Sequence, residues 1–327
     1  MSTIRSPIVP IKPNEDSLNI HRALRGLIYD AGAIIDILAY RNAVQRSQII
    51  VVYKNMFEED LCKVIKSKLH FHFKKAVLMW MRDPFERDAR ILRKALRANR
   101  SSQRSYVLAE VFSTKSSDDL LSTAKSYHSL YKRSLQTDIE ASLSGSCQKM
   151  CKKYIMQLFM QYLVRNKSHA VDLEQHVAEE KANMLHKLVS TDINETSLIE
   201  TLTSDDPRQL CRVLDAYKSM YGRDISEVFE ENSKKGNTEF CKTVGIIFRC
   251  LSCSENYFAK VLYKSMKGTG TDDDTLIRII VTHAETDLAH IKAAFVQRYK
   301  VSLSSMIRSD TTYKYRKFLL ALVGEDS

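Results

Sequence analysis

The feature that most limits how this chain can fold is a pattern it repeats four times. An aromatic residue is followed four positions on by a second aromatic, and four beyond that by an aliphatic. The copies are Tyr53–Phe57–Leu61, Tyr127–Tyr131–Leu135, Tyr217–Tyr221–Ile225 and Phe295–Tyr299–Leu303. Residues at i, i+4 and i+8 share a helical face, so each triplet predicts a buried stripe on a helix. Successive triplets start 74, 90 and 78 residues apart. Four copies of one unit follow, with an insertion in the longest interval, near Val164 to His176.

Each unit is helical by period. In the last, Tyr257 to Tyr263 has one apolar face, Leu276 to Ile280 is apolar nearly all round, and Phe318 to Val323 closes the chain. Nine Gly and five Pro in 327 residues suit long helices joined by short corners, not an all-β or loop-rich protein. The expected fold is all-α, with about five helices in each of four bundles. The expected boundaries are an N-terminal arm at 1–14, repeats at 15–82, 83–163, 177–252 and 253–327, and a connector at 164–176.

Several function classes are excluded. No apolar run approaches the ~18 residues of a membrane span. Met1 to Ser17 is polar, carries three prolines and has no signal-like apolar segment. Seven cysteines without small-scaffold spacing fit a reducing cytosol. There is no GxxxxGK[ST] loop for nucleotide phosphates. The net charge is +11, and the window Lys63–Arg104 holds thirteen Lys/Arg against Asp83, Glu86 and Asp88, a surplus of ten. Such a window favours a polyanion, either an anionic membrane or nucleic acid.

The other informative stretch is Met266-Lys267-Gly268-Thr269-Gly270-Thr271, followed by three aspartates. Two glycines around one residue let the backbone turn several carbonyl oxygens toward one point. Thr271 and Asp274 read as a capping box, with Thr271 as N-cap. Gly268 lies 27 residues before Phe295, and 27 residues before Tyr53 stands Gly26, in Leu24-Arg25-Gly26-Leu27. An EF-hand starting at Asp272 fails, because its required Gly and Glu are Ile277 and His283.

Asp310 follows Thr271 after 38 intervening residues. A GxGT loop, 38 residues and then an acid resembles the endonexin-type calcium signature of the annexins. The chain resembles that family along nearly its whole length, and its plant-type members most. Tyr40-Arg41-Asn42-Ala43, Arg82-Asp83-Pro84-Phe85-Glu86-Arg87-Asp88 and Asp310-Thr311-Thr312-Tyr313 support the likeness. The resemblance implies a curved, right-handed superhelical disc that binds anionic phospholipid membranes reversibly and with Ca²⁺. It implies ligation of Ca²⁺ by the carbonyls of Met266, Gly268 and Gly270 and by both carboxylate oxygens of Asp310. A weaker second ion at Thr271 and Asp273 is the lesser implication.

Physically this is sensible, since Ca²⁺ takes six to eight oxygens and leaves room for water and a lipid phosphate. With one formal negative ligand, affinity in solution is expected at about 10⁻⁴ M or weaker. A phosphate tightens it, which couples membrane to ion. The alternative role for Asp310 is N-cap of the last helix.

The other repeats depart from the signature. The first keeps Gly26 but has Ile28, Tyr29 and Lys68 at the remaining positions; the second offers Arg100 and Ser142, the third Ser190 and Asn232. One calcium site is therefore expected, in the fourth repeat. In the first, Arg25, Lys66 and Lys68 around a loop tip at Leu27 are expected to attract anionic lipid without calcium, while Lys267 adds charge in the fourth.

The rival reading is a helical scaffold that binds nucleic acid or protein through the 63–104 surface. It leaves the glycine–acid spacing unexplained, so nucleic acid is not expected as a partner. Catalysis is not expected either. Tyr40 stands where many plant members carry a His linked with peroxidase activity, and Ser113 stands at a cysteine position often discussed there, while Cys250 matches another. Cys250 and Cys253, like Cys147 and Cys151, are expected to be buried thiols. Ile277-Arg278-Ile279 matches a short motif linked with actin in plant members, but it falls in a helix that reads as core. His70 and His72 are expected at the surface and Trp80 in the core. The expected location is cytoplasmic, peripheral on membranes.

Overall fold

A computed structural model describes residues 1–4, 11–98, 101–142, 153, 175–190, 195–204, 207–234 and 238–324. The described residues form eighteen helices and no strand. They fall into two compact units, one of residues 1–84 with 255–327 and one of residues 85–254.

In the first unit the opening repeat is α1 (Pro13–Arg25), α2 (Ala31–Leu38), α3 (Ala43–Phe57), α4 (Leu61–Lys68) and α5 (Phe71–Met81). In the second unit follow α6 (Pro84–Leu96, its first residue at the boundary), α7 (Ser101–Thr114), α8 (Ser117–Tyr131) and α9 (Leu135–Ser142). The third repeat is α10 (Gln175–Ser190), α11 (Glu195–Ser204), α12 (Pro207–Tyr221), α13 (Ile225–Asn232) and the first part of α14 (Thr238–Met266). Cys253 interrupts α14 with an extended backbone, φ −161°. Its second part opens the fourth repeat, completed by α15 (Asp273–His283), α16 (Leu288–Tyr299), α17 (Leu303–Asp310) and α18 (Tyr313–Val323). The expected insertion up to residue 174 and the pair Cys147 and Cys151 lie outside the described residues, and the last two residues of that insertion, Gln175 and His176, open α10.

The helix starts are written locally. Asp30, Asn42, Asp60, Ser116, Asp224 and Ser302 each accept a backbone N–H of the first turn, and Asn42 with Gln45 completes a reciprocal capping box. Each cap satisfies donors that a helix end otherwise leaves open.

The aromatic triplets do not lie on single helices. In every repeat the helix ends at the second aromatic, and the aliphatic begins the next helix. Between them sits a left-handed residue: Glu58, Lys132, Gly222 or Lys300, with φ of 55°, 54°, 66° and 58°. That residue ends the helix as an αL cap and turns the chain. The first and third members still reach the core: Tyr53, Tyr127, Tyr217, Phe295, Leu61, Leu135, Ile225 and Leu303 are all buried. The middle aromatic is half-buried and packs on one residue of the repeat's first helix. Phe57 stacks on His21 at 3.7 Å, Tyr221 on His186 at 3.8 Å and Tyr299 on Tyr263 at 3.8 Å, while the Arg93 guanidinium lies 5.1 Å from the Tyr131 ring.

The first and fourth repeats share the core of the first unit. Trp80 is fully buried, and its indole N–H donates to the Leu38 carbonyl at 2.7 Å. The Arg46 guanidinium lies 3.6 Å over the Trp80 ring and pairs with Glu285 at 2.9 Å. Residues 1–4 fasten to the same unit: Thr3 donates its N–H to the Ala284 carbonyl and its hydroxyl to that of Leu322.

Candidate metal centre

Met266 ends α14 and is buried, and the chain beyond it is exposed. Gly268 and Gly270 have φ of +113° and +89°, and a Cβ built on either meets nothing within 4 Å. Glycine is needed here for its backbone and not for room, and the side of the loop is open. The Asp272 N–H donates to the Ser265 carbonyl at 2.8 Å and closes the loop.

The N-cap of α15 is Asp272, one residue later than expected: its carboxylate accepts from the Thr275 N–H at 3.1 Å and from the Thr275 hydroxyl at 2.7 Å. A carboxylate is the stronger acceptor for these donors, and this frees Thr271. Its hydroxyl donates to Asp310 Oδ2 at 2.5 Å, with the Asp310 carbonyl 3.2 Å away. Asp310 is the last residue of α17 and does not cap α18, whose N-cap is Thr312. Two corners 39 residues apart in the chain thus meet through one charge-assisted hydrogen bond.

The surroundings are electronegative. Burial pushes the Tyr315 hydroxyl up in pKa, and the negative charges of Asp273, Asp310 and Asp272 push it further. Among the described residues no group of three or more His, Cys, Asp or Glu could hold a metal ion. The donors at this loop are main-chain carbonyls and one carboxylate, all hard oxygens that fit Ca²⁺ and not a soft ion. The residues present therefore fit the ion that the loop signature implies.

The lesser set, Thr271 and Asp273, has its side chains on different partners. Thr271 turns to Asp310, whereas Asp273 Oδ2 lies 3.4 Å from His72 Nε2 at the start of α5. Asp274 pairs with Lys75. Lys267 is exposed, its ammonium 5.4 Å over the Tyr263 ring.

The acid position recurs as the eighth residue of the corner helix in all four repeats: Lys68, Ser142, Asn232 and Asp310. The glycine position needs a correction. His21 and His186 stand 32 and 31 residues before the first aromatic of their repeats, and Arg93 stands 34 before. These intervals differ between repeats, so a constant count of 27 is off by two residues in the second repeat and by one in the third. Arg100 lies outside the described residues, and Ser190 is the last described residue of α10.

In the first repeat Gly26 has an extended backbone, φ −62°, and a Cβ there would meet the Ile28 carbonyl oxygen at 2.9 Å. That loop is shaped by close approach and not by left-handed glycines. Leu27 stands fully in solvent, Ile28, Lys66 and Lys68 are exposed, and Arg25 pairs with Glu59 at 3.2 Å.

These corners lie at one end of the first unit. His72 near the start of α5 meets Asp273 at the start of α15 and, ring to ring at 5.6 Å, Tyr315 near the start of α18. The Lys314 ammonium lies 4.0 Å over the ring of Tyr29, which precedes α2. The N-terminal ends of α2, α5, α15 and α18 therefore converge, and the loops before them share a face.

Other sequence candidates are placed as follows. Ile277 and Ile279 are both in the core. Cys250 is buried, and Cys253 is half-buried at the bend in α14. His70 and His72 are exposed, and Tyr40 and Ser113 are half-buried. The basic window is not one solvated face: Arg87 is buried, Arg93 turns inward to Asp138 and Tyr127, and Lys75 is taken by Asp274. Sequence reasoning missed the bond from Thr271 to Asp310, which a cap assignment at Asp272 would have exposed.

A family model described as Annexin matches residues 15–80, 87–153, 180–239 and 257–322. Annexin D5 of Arabidopsis thaliana is 36% identical over 99% of this chain and 99% of its own, which agrees with the expected plant-type likeness. Among solved structures, annexin III superposes with a TM-score of 0.87 at 27% identity, covering 100% of this chain and 98% of that one. A calcium-bound annexin (Sm)1 superposes with a TM-score of 0.79 at 25% identity, covering 99% and 93%. With four matched repeats, an all-helical fold and a glycine loop joined to a distant aspartate, the chain belongs to the annexin family, which is known for calcium-dependent phospholipid binding.

Proposed function

We propose that this protein binds anionic phospholipid membranes reversibly through one Ca²⁺ held in the fourth repeat. The ion is taken by the carbonyls of Met266, Gly268 and Gly270 and the Asp310 carboxylate, and a lipid phosphate completes its shell. The observation that carries the reading is the 2.5 Å bond from Thr271 to Asp310 beside an open loop with two left-handed glycines. Calcium-bound annexin (Sm)1 supports it by likeness. One carboxylate makes a weak site, on the order of 10⁻⁴ M without lipid. Lys267 adds attraction at about 1 kcal/mol for a basic residue near the surface.

The first-repeat corner contributes without an ion. Lys66 and Lys68 are exposed beside the apolar tip of Leu27 and Ile28. Arg25 contributes less, because Glu59 shares its charge. The association is peripheral and cytoplasmic, where anionic lipid is found; no helix of the described residues is long and apolar enough to cross a membrane. The protein acts by binding and not by catalysis.

The test is co-sedimentation with phosphatidylserine vesicles across a calcium titration at two salt concentrations. Binding should rise with calcium, and Asp310→Ala should abolish that rise at moderate salt. An unchanged rise in the variant refutes the site. Retention on RNA in place of vesicles refutes the lipid reading and favours the scaffold reading.

A further inference from the structure

Five residues other than glycine have a left-handed backbone among those described. Glu58, Lys132 and Lys300 are helix C-caps, where this conformation is ordinary. The other two are Phe71 at φ +48° and Tyr313 at φ +42°, each the first residue of a helix, α5 and α18. A bulky side chain is disfavoured in this region, and Asn or Gly would occupy it more easily. Packing does not explain the choice, since Phe71 is 87% and Tyr313 90% exposed. The fold therefore carries two strained aromatic rings that add nothing to its core, and such outliers point toward function.

Their placement is matched. Each stands three residues beyond the end of a corner helix, Phe71 after Lys68 and Tyr313 after Asp310. Both belong to the end of the first unit that carries the metal loop. Exposed Lys68 lies three residues before the first, and exposed Lys314 directly follows the second.

We propose that Phe71 and Tyr313 are membrane-inserting prongs that enter the headgroup–acyl boundary of an anionic bilayer, one beside the basic corner and one beside the metal corner. The proposal rests on the lipid-binding reading above and assigns it an apolar component. Aromatic rings favour that boundary, where an apolar body and a polar surrounding are both satisfied. The neighbouring ammonium groups complement lipid phosphates. A bilayer suits this surface better than a protein partner, because the exposed apolar residues at this end, Leu27, Ile28, Phe71 and Tyr313, are accompanied by exposed Lys66, Lys68 and Lys314, and charged residues are depleted from the core of a protein interface.

The test uses the full chain with Phe71→Asn and Tyr313→Asn combined, since Asn accepts a left-handed backbone. The thermal midpoint should hold or rise, while partition onto phosphatidylserine vesicles in calcium falls about tenfold, the scale expected for part-burying two rings. The deficit should persist at about 0.5 M salt, where charge attraction is largely screened. Unchanged partition overturns the proposal.

A second measurement places an indole at the prong, Tyr313→Trp, on vesicles with brominated acyl chains. The introduced fluorescence should be quenched, while Trp80, the sole native tryptophan and fully buried, is not. Pelleting without quenching overturns the prongs and leaves the lipid reading intact. A wild-type chain that never pellets overturns both.

Discussion

Replacing Thr271 with valine tests how the metal corner is assembled. The hydroxyl holds the Asp310 carboxylate against the loop at 2.5 Å, and valine keeps the shape while removing the donor. An aspartate oxygen has lone pairs for both a hydroxyl and a cation, so the bond persists when the ion arrives and serves to pre-position the ligand. Without it Asp310 must be immobilised at the moment of binding, at about 0.5–1.5 kcal/mol for one side chain. Calcium affinity should fall roughly twofold to twelvefold, with 1.4 kcal/mol equal to about a factor of ten. Calorimetric titration with calcium, with and without vesicles, measures this, and Thr271→Ser should restore it. Affinity that stays constant or tightens in the valine variant refutes the reasoning, because a tightening would mean that hydroxyl and ion compete for the carboxylate.

Two further outcomes concern stability. Burial alone would raise the Asp287 carboxyl, but the hydrogen bond and charge of His283, with the Thr286 hydroxyl, hold it at about 2. A depressed carboxyl contributes stability above its unfolded value near 4, and that contribution is lost as pH falls through about 2. Asp287→Asn should flatten the melting temperature over that window in an acid titration followed by circular dichroism. Glu285→Ala strips the buried Arg46 guanidinium of its carboxylate, and denaturant unfolding should show a loss of about 3 kcal/mol, the low end for a broken buried pair, since Glu285 is partly exposed.

The repeat was legible in the sequence because buried aromatics must recur with the unit that buries them. The triplet was misread as one helical stripe because an αL cap is a property of backbone angle. Glu58, Lys132 and Lys300 carry no residue-type signal for it, and only Gly222 does. The acid position could be counted, since it is the eighth residue from the start of every corner helix. The glycine position could not be counted in the middle repeats, because the interval from the first-helix residue under the stripe to the first aromatic is 34 residues at Arg93 and 31 at His186, against 32 at His21. Thr271 was assigned as a cap because Ser, Thr and Asp compete for that role. With Asp272 adjacent, the carboxylate takes the helix and leaves the hydroxyl for the ligand. The prongs were invisible because exposure and sign of φ at Phe71 and Tyr313 arise only in the fold.

In the lipid-binding reading, the two corners at one end of the first unit reach the same charge by different routes. Asp310 with a bound Ca²⁺ presents a net single positive charge to the membrane, and Lys68 at the equivalent position presents the same charge permanently. Without the ion, the fourth-repeat corner presents the Asp310 negative charge and repels anionic lipid. Asp310→Lys should therefore make that corner behave like the first. A basic residue near an anionic surface is worth about 1 kcal/mol, so the change from −1 to +1 gives about 2 kcal/mol, or roughly thirtyfold tighter binding in chelator at low salt. Lysine suits the last turn of α17, where the helix dipole favours a cation. The calcium response should vanish in the same variant, and its remaining binding should weaken steeply as salt is raised. If Asp310→Lys bound vesicles in chelator no better than the unmodified chain, the corner would not face the lipid, and the equivalence of ion and ammonium would fall with it.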